Sequence, residues 1–411
     1  MTHPSFLPFP HATTSASSIP LLECVTRSSI LDFDAGEWNA LISRDEPQLR
    51  HDFLLAAEKS GMAINPRYVS VRRAGRLAGV AVLSDADIDL LTLAAPNLKK
   101  LAARVRRGPL QRFLILRAQT CGPVITNCRP NMSLASWLED EEREGVAREL
   151  IREMDGLGSA SLRVFFELDE TASAQFGPAL EASGHVKAAS LPGTRLPVEW
   201  NSFEGYVGEM RKIYRRAVRD DQAKGAGLSI RIEEDFADLA DEVFALYWQV
   251  LERAQSNFET LTPAFFREFA ACKDSRLVTA RLKETGQLVG VELLLVGDSM
   301  VQDLYTGVDY RYNEEFNVYF NLVYPAIELA CESGFGFVST GQTSYKFKSR
   351  LGIEPFRLSV YLKHRNPVIN AILRRIHPLI CPETPTVEHR VFKSEAQHIN
   401  TPSRKILAAN P

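Results

Sequence analysis

The sequence is poor in features that would tie it to a metal, an oxidising compartment or a membrane. Its six cysteines (Cys24, Cys121, Cys128, Cys272, Cys331 and Cys381) are scattered, form no CxxC pair and have no histidines at ligand spacing. No zinc or other metal site is expected, and the thiols read as reduced and mostly core-packed in an intracellular protein. No stretch approaches the roughly eighteen apolar residues of a membrane span. The opening MTHPSFLPFPHATTSASSIP has no charged start leading into an apolar run. Neither a secretion signal nor a transmembrane helix is expected, and the cytoplasm is the expected compartment. The net charge of -3 shows no large excess of either sign. That argues against a chain dedicated to nucleic acid or to an acidic membrane surface, and any polyanion site, DNA not being an expected partner, must be a local patch.

What is present is an ordinary globular composition, with 45% hydrophobic and 24% charged residues in 411, enough for two or three cores. Residues 1–20 are rich in Pro, Ser, Thr and His without periodicity and read as a mobile tail. A helix follows Asp34, and a second, in PQLRHDFLLAAEKSG, puts Leu49, Phe53, Leu54 and Ala57 on one face until Gly61 ends it. Residues 68–72 and 77–83 read as a hairpin, with further strands at 114–116 and 124–126. Residues 134–157 read as a long acidic helix and 161–168 as a strand. After Trp200 a similar order begins again: a helix over 203–224, a strand at 228–232, helices over 236–253 and from Pro263, then strands at 287–296 and 300–306. A helix from Phe316 comes next, with Pro325 predicting a kink or a lost hydrogen bond near residue 321. RLAGVAVL (76–83) and QLVGVELLLV (287–296) share a Leu-x-Gly-Val core, which reads as one plan used twice. The domains expected are 21–197 and 198–365, with a peripheral tail, 366–411, that holds one basic amphipathic turn at 368–376.

The stretch GQTSYKFKSRLG (341–352) lies between a strand at 336–339 and one at 355–362 and carries Lys346, Lys348 and Arg350 on a short helical turn. Cations fixed at such a place stabilise an anionic group or a developing oxyanion. A solvated connector with surface lysines is the plainer reading.

The element order, the paired segments and FKSRLG (347–352) resemble the FemAB-like branch of the GNAT acyltransferase superfamily. WNAL, PQLRHDFLLAAEKSG and FEGYVGEMRKIYRRAVR add to the likeness. The resemblance covers about residues 20–365. It implies an α+β fold of two tandem GNAT-like domains, each a mixed, mainly antiparallel sheet flanked by helices. It also implies transfer of an acyl or aminoacyl group to an amine. Phe347-Lys348-Ser349-Arg350-Leu351-Gly352 matches the phenylalanine-lysine-x-x-aromatic-glycine motif of the FemABX ligases, with Leu351 in the aromatic place. By that match Lys348 is the cation near the reacting carbonyl. The long heptad-bearing arm of those ligases is missing, which puts their tRNA donor in doubt. The phosphate loop of ordinary GNAT enzymes falls on residues 307–315, where one glycine and three acids make a poor cradle.

Acyl transfer to an amine needs a base, a polarised carbonyl and a protonated leaving group. Glu292 interrupts the apolar run 288–296, so it is a buried base with a raised pKa, or it points to the open face or pairs with a core arginine. Asp303 and Tyr305, two apart on one strand, should share a face, Asp303 as base or ammonium ligand and Tyr305 as substrate contact or core. Tyr345 stands three residues before Lys348, as leaving-group acid or packing aromatic. Arg211, Arg215 and Arg219 fall at i, i+4 and i+8, a row that either holds an anion or is neutralised by Asp220 and Asp221. Gln342 and Asn317 sit at element starts as caps or substrate contacts, and Arg350 adds a cation near Lys348. Ala81 stands where the second copy has Glu292, which makes the first copy degenerate. No bound cofactor is expected. Acyl-CoA, an acyl-carrier protein or aminoacyl-tRNA is the donor and a small-molecule amine the acceptor. The alternatives are a tRNA-dependent ligase acting on a peptidoglycan precursor and a non-enzymatic ligand-binding module.

Overall fold

In the computed structural model the described residues are 22–380 and 389–393, except 63–64, 90, 92–95, 109, 123–124, 126–127, 159 and 255–258. The expected tail 1–20 and most of the expected strand at 124–126 lie outside them. The first half supplies β1 (Leu22–Arg27), β2 (Arg67–Arg73), β3 (Arg76–Asp89), β4 (Ile115–Cys121), β5 (Met132–Leu134), β6 (Leu162–Leu168), β7 (Val186–Ala189) and β8 (Gly193–Pro197). The second supplies β9 (Leu228–Glu233), β10 (Ser275–Leu282), β11 (Leu288–Val296), β12 (Met300–Val308), β13 (Phe337–Ser339), β14 (Glu354–Phe356) and β15 (Ser359–His364).

These strands form two sheets of matching plan. One runs β1-β2-β3-β4-β6-β15-β7 with β5 also on β3, and the other, from its opposite edge, β9-β10-β11-β12-β13-β8-β14. Pairing is antiparallel except β4 with β6 and β12 with β13. The chain is thus α+β, with two mixed, mainly antiparallel sheets and helices packed on them. Each sheet takes its second-to-last strand from the other half of the chain. β8 lies between β13 and β14, and β15 lies between β6 and β7. Residues 355–362, expected as one strand, therefore contain the end of one strand and the start of another in a different sheet.

β11 is buried along nearly its whole length because both faces are covered. One face joins a core shared by both halves, in which Phe53 meets Phe269 edge-on at 6.0 Å. The other packs on the helix Val318–Ser333. The glycine of the repeated Leu-x-Gly-Val has the same reason in both copies. A Cβ on Gly79 would lie 2.9 Å from Leu134 and Val146, and one on Gly290 2.4 Å from Val318, so a helix crosses each sheet at the glycine.

The structure corrects local expectations in three places. The helix expected over 134–157 is Asp140–Gly156, started by a capping box of Glu139 and Glu142, with Leu134 in β5. The helix expected over 203–224 is two helices, Phe203–Glu209 and Lys212–Lys224, broken where Met210 bridges to Phe392 and Arg211 takes an extended backbone. Val391 and Phe392, in the stretch read as peripheral, are buried in the second core, with Phe392 against Trp200 and Tyr206. Helix Val318–Ser333 runs through Pro325 as one element.

The strand exchange predicts that residues 198–365 alone, lacking β8 and carrying an orphaned β15, give no cooperative thermal transition by circular dichroism. Co-expression with residues 21–197 should restore it.

Candidate active site

The site lies where β12 outruns its parallel neighbour. β12 and β13 pair only at Met300–Phe337, Val301–Val338 and Gln302–Ser339, while β12 continues to Val308. On its other side β12 carries a bulge. Leu294 pairs with Asp303 and Leu293 with Tyr305, which leaves Leu304 as the extra residue. A bulge inserts one residue into the alternation and re-aims the side chains beyond it. Asp303 and Thr306 consequently share the face of Glu292, and Tyr305 turns to the opposite face, where it meets Tyr247 edge-on at 5.8 Å. The expectation that Asp303 and Tyr305 share a face is overturned by that one residue.

Glu292 is completely buried. One carboxyl oxygen accepts from Thr306 Oγ1 at 2.7 Å, and the other has no donor. Burial and the adjoining Asp303 carboxyl push its pKa well above the ordinary carboxylate range, and the Thr306 hydrogen bond and the more remote Lys348 offset this only in part. Both influences favour the protonated, uncharged form of Glu292 beside Asp303 on the neighbouring strand.

Lys348 comes from the short turn after β13. Ser344 in the left-handed region opens the helix Tyr345–Lys348, a 3-10 turn continues it, and Gly352 at φ 75° closes it. A side chain at Gly352 would also lie 2.2 Å from the Phe392 ring, so the glycine is required twice. Lys348 is buried, and its Nζ donates to the Thr340 carbonyl. Thr340 is itself tied to the exchanged strand through Thr194, Oγ1 to Oγ1 at 2.8 Å. Burial lowers the Lys348 pKa, while Asp303, Cys128 and Glu292 pull it back up. A lysine held this way has two further N–H donors for a ligand oxygen.

The remaining expected residues make other contacts. The Tyr345 hydroxyl donates to the Pro192 carbonyl at 2.8 Å, and burial raises its pKa, so its proton is directed away from Lys348. Tyr305 donates to Glu259. Gln342 holds the Leu191 carbonyl at 3.1 Å. Asn317, at φ 46° between two helices, donates to Asp221 at 2.8 Å. The helix break dissolves the arginine row. Arg211 precedes the second helix, Arg215 reaches the Gly208 carbonyl at 3.3 Å, and Arg219 pairs with Glu204. Arg350 is exposed. Glu292, Asp303 and Lys348 are therefore brought together, while Tyr345 and Gln342 frame the turn from behind and Asn317, Arg211 and Arg215 lie in other contacts.

Thr306, Thr340 and Cys128 were missed by sequence reasoning. Cys128, at φ 63°, donates its N–H to Glu167 at 2.9 Å, and its thiol is pushed up by burial and by Glu167 against the pull of Lys348. It brings the first half to the site, and the Cys121-Gly122-Pro123 break before it was the available signal. In the first sheet Ala81 pairs with Met132 where Glu292 pairs with Thr306, so the polar pair is replaced by an apolar one. A separate cleft of about 400 Å³ between β9 and the helix Val318–Ser333 touches none of the Glu292–Lys348 group. Among the described residues no group of three or more His, Cys, Asp or Glu is placed to hold a metal ion, and no helix is long and apolar enough to cross a membrane.

Residues 208–349 match the acetyltransferase (GNAT) domain family. The structure of FemX overlays 86% of this chain and 100% of its own, with a TM-score of 0.55 at 12% identity. The chain has a tandem GNAT-superfamily fold. A conserved protein of unknown function from Bacteroides thetaiotaomicron overlays 82% of this chain and 98% of its own, at TM-score 0.50 and 10% identity. A tandem GNAT protein from the clavulanic acid biosynthesis pathway overlays 84% and 99%, at TM-score 0.44 and 16% identity. No curated protein matches the chain.

The packing around this candidate site has two measurable effects on stability. Glu292, with a raised pKa in the folded state, contributes stability that is present below its ordinary value of 4.5 and lost as pH rises toward the raised one. Glu292→Gln should therefore gain on the native chain as pH rises above that value, by up to roughly 1.4 kcal/mol per pH unit, measured by urea unfolding across pH. Phe392→Ala should cost about 3–5 kcal/mol and speed hydrogen exchange at Gly352 and Ile353.

Proposed function

We propose that the protein is an N-acyltransferase of the FemAB-like type, which moves an acyl or aminoacyl group from a thioester to an amine in the cleft formed by residues 198–365. The observation that carries this reading is the convergence of buried Glu292 and Lys348 with half-buried Asp303 where β12 leaves β13, a set with both charge signs beside an opening in the sheet. Asp303, half-buried, takes the proton from the acceptor's ammonium, and Glu292 holds the second proton position behind it. The amine nitrogen bonds to the thioester carbon, and Lys348 donates to the oxyanion that forms. Collapse of the adduct breaks the C–S bond, and the proton shed by the newly bonded nitrogen goes to the departing sulfur, which leaves as the thiol. Residues 21–197 act as a degenerate copy that supplies β8 and Cys128. The compartment is the cytoplasm, in line with five free cysteines among the described residues.

A carrier-protein donor, or CoA in an unusual pose, fits better than CoA on the usual loop. The N-terminus of helix Tyr310–Phe316 is capped by Asp309, whose carboxylate is held by Arg311 at 2.6 Å and kept well ionised by it. A phosphate there would face a fixed negative charge. The same observation leaves room for aminoacyl-tRNA as donor and a peptidoglycan precursor as acceptor, a reading that ribonuclease treatment separates, since only that route loses its donor.

Mass spectrometry of covalent transfer from acyl-CoA, acyl-carrier protein and aminoacyl-tRNA to an amine panel tests the proposal. With the donor found, Lys348→Met should fold normally and lower kcat by about 100-fold or more. Asp303→Asn should lower kcat by about 100-fold while leaving the KM for the donor nearly unchanged. Transfer unchanged in both variants would rule out this site, and ligand binding without any transfer would favour a binding module.

A further inference from the structure

Six of the ten large hydrophobic residues exposed among the described residues lie in two basic segments. The first, 96–117, contains two lysines, five arginines and no acidic residue. Three of those arginines are held by Asp85, Asp87 and Asp89, while Lys100, Arg104 and Arg107 stand exposed beside Leu101, Leu110 and Phe113. The second is the helix Pro367–Ile380, within a stretch that has no acidic residue between Glu354 and Glu383. It is fixed to the first sheet by Leu373 and by Asn370, whose amide donates to the Gly184 carbonyl at 3.0 Å. Val368, Ile369 and Ile372, exposed by 67, 40 and 49%, point away from that contact, next to exposed Arg375.

Both segments emerge at one end of one sheet. Leu373 packs with Ala118, Leu162 and Val164, and Ile88 and Leu116 close the same cluster. Ile88 pairs with Leu116 and Asp89 with Ile115, so the excursion that carries the first basic segment leaves from the strand ends under this helix. A net charge of -3 for the whole chain makes this cationic end a local asymmetry.

We propose that this end of the first sheet docks on an anionic lipid bilayer, with the aliphatic side chains entering the headgroup boundary and the cations lying at the phosphate level. Aliphatic residues set among lysines and arginines on helices that stay attached to a folded body match such an interface. A nucleic acid would use the cations and leave the isoleucines and valine unsatisfied. A second copy docked face to face would bring like charges together.

The test is flotation of the full chain with neutral phosphatidylcholine vesicles and with vesicles containing about a quarter phosphatidylglycerol. Binding is expected only to the anionic vesicles and should weaken with salt. Ile369→Ser with Ile372→Ser, and separately Arg107→Glu with Arg375→Glu, should each lower partitioning about tenfold or more at an unchanged melting temperature. Equal partitioning to both vesicle types, or anionic binding that well-folded variants retain, overturns the proposal. A dimer in sedimentation velocity that the same substitutions abolish would assign the face to a second copy and also overturn it.

Discussion

The reciprocal exchange of β8 and β15 is the constraint on which the rest of the molecule depends. A strand placed in the interior of a sheet satisfies hydrogen bonds on both its edges, so neither sheet can close without residues from the other half of the chain. The exchange also reaches the candidate site. β8 brings Thr194 beside β13, Thr194 fixes Thr340, and the Thr340 carbonyl holds Lys348. A buried lysine is costly unless its surroundings are prearranged, and here part of that arrangement is made by a strand that belongs in sequence to the first half.

The second determinant is smaller. One extra residue, Leu304, puts Asp303 on the Glu292 face and removes Tyr305 from it. Without the bulge, strict alternation would put Tyr305 on the Glu292 face in place of Thr306, and the oxygen of Glu292 that now accepts from Thr306 would lose its donor. The site thus rests on an irregularity in a strand whose flanking residues are otherwise regular, and a bulge beside an active site is a recurrent way to re-aim side chains.

Much of this was legible in the residues. The Leu-x-Gly-Val repeat pointed to the two copies, and the glycine in it proved to be a close-approach position in both. Glu292 stood out because it breaks an apolar run, and Lys348 because of its motif. The strand exchange was not legible, because β8 and β15 look like any short strands and their pairing partners are set by contacts far apart in sequence. The bulge escaped for a related reason: nothing in QDLYT marks Leu304 as the extra residue, since the register is decided by which neighbours must be buried. The arginine row of 211, 215 and 219 failed because a helical period was extended across Met210, whose backbone instead pairs with Phe392 nearly two hundred positions later.

The interleaving of β15 with β6 and β7 also has a bearing on the order of synthesis. On the ribosome, β6 and β7 emerge with facing edges unfilled, and they stay so while residues 190–358 are made, on the order of ten to thirty seconds at typical elongation rates. Unfilled strand edges are templates for wrong pairing. The edges of the nascent first half are open over that interval, and the speed with which the remaining chain is translated sets how long they stay exposed to wrong partners.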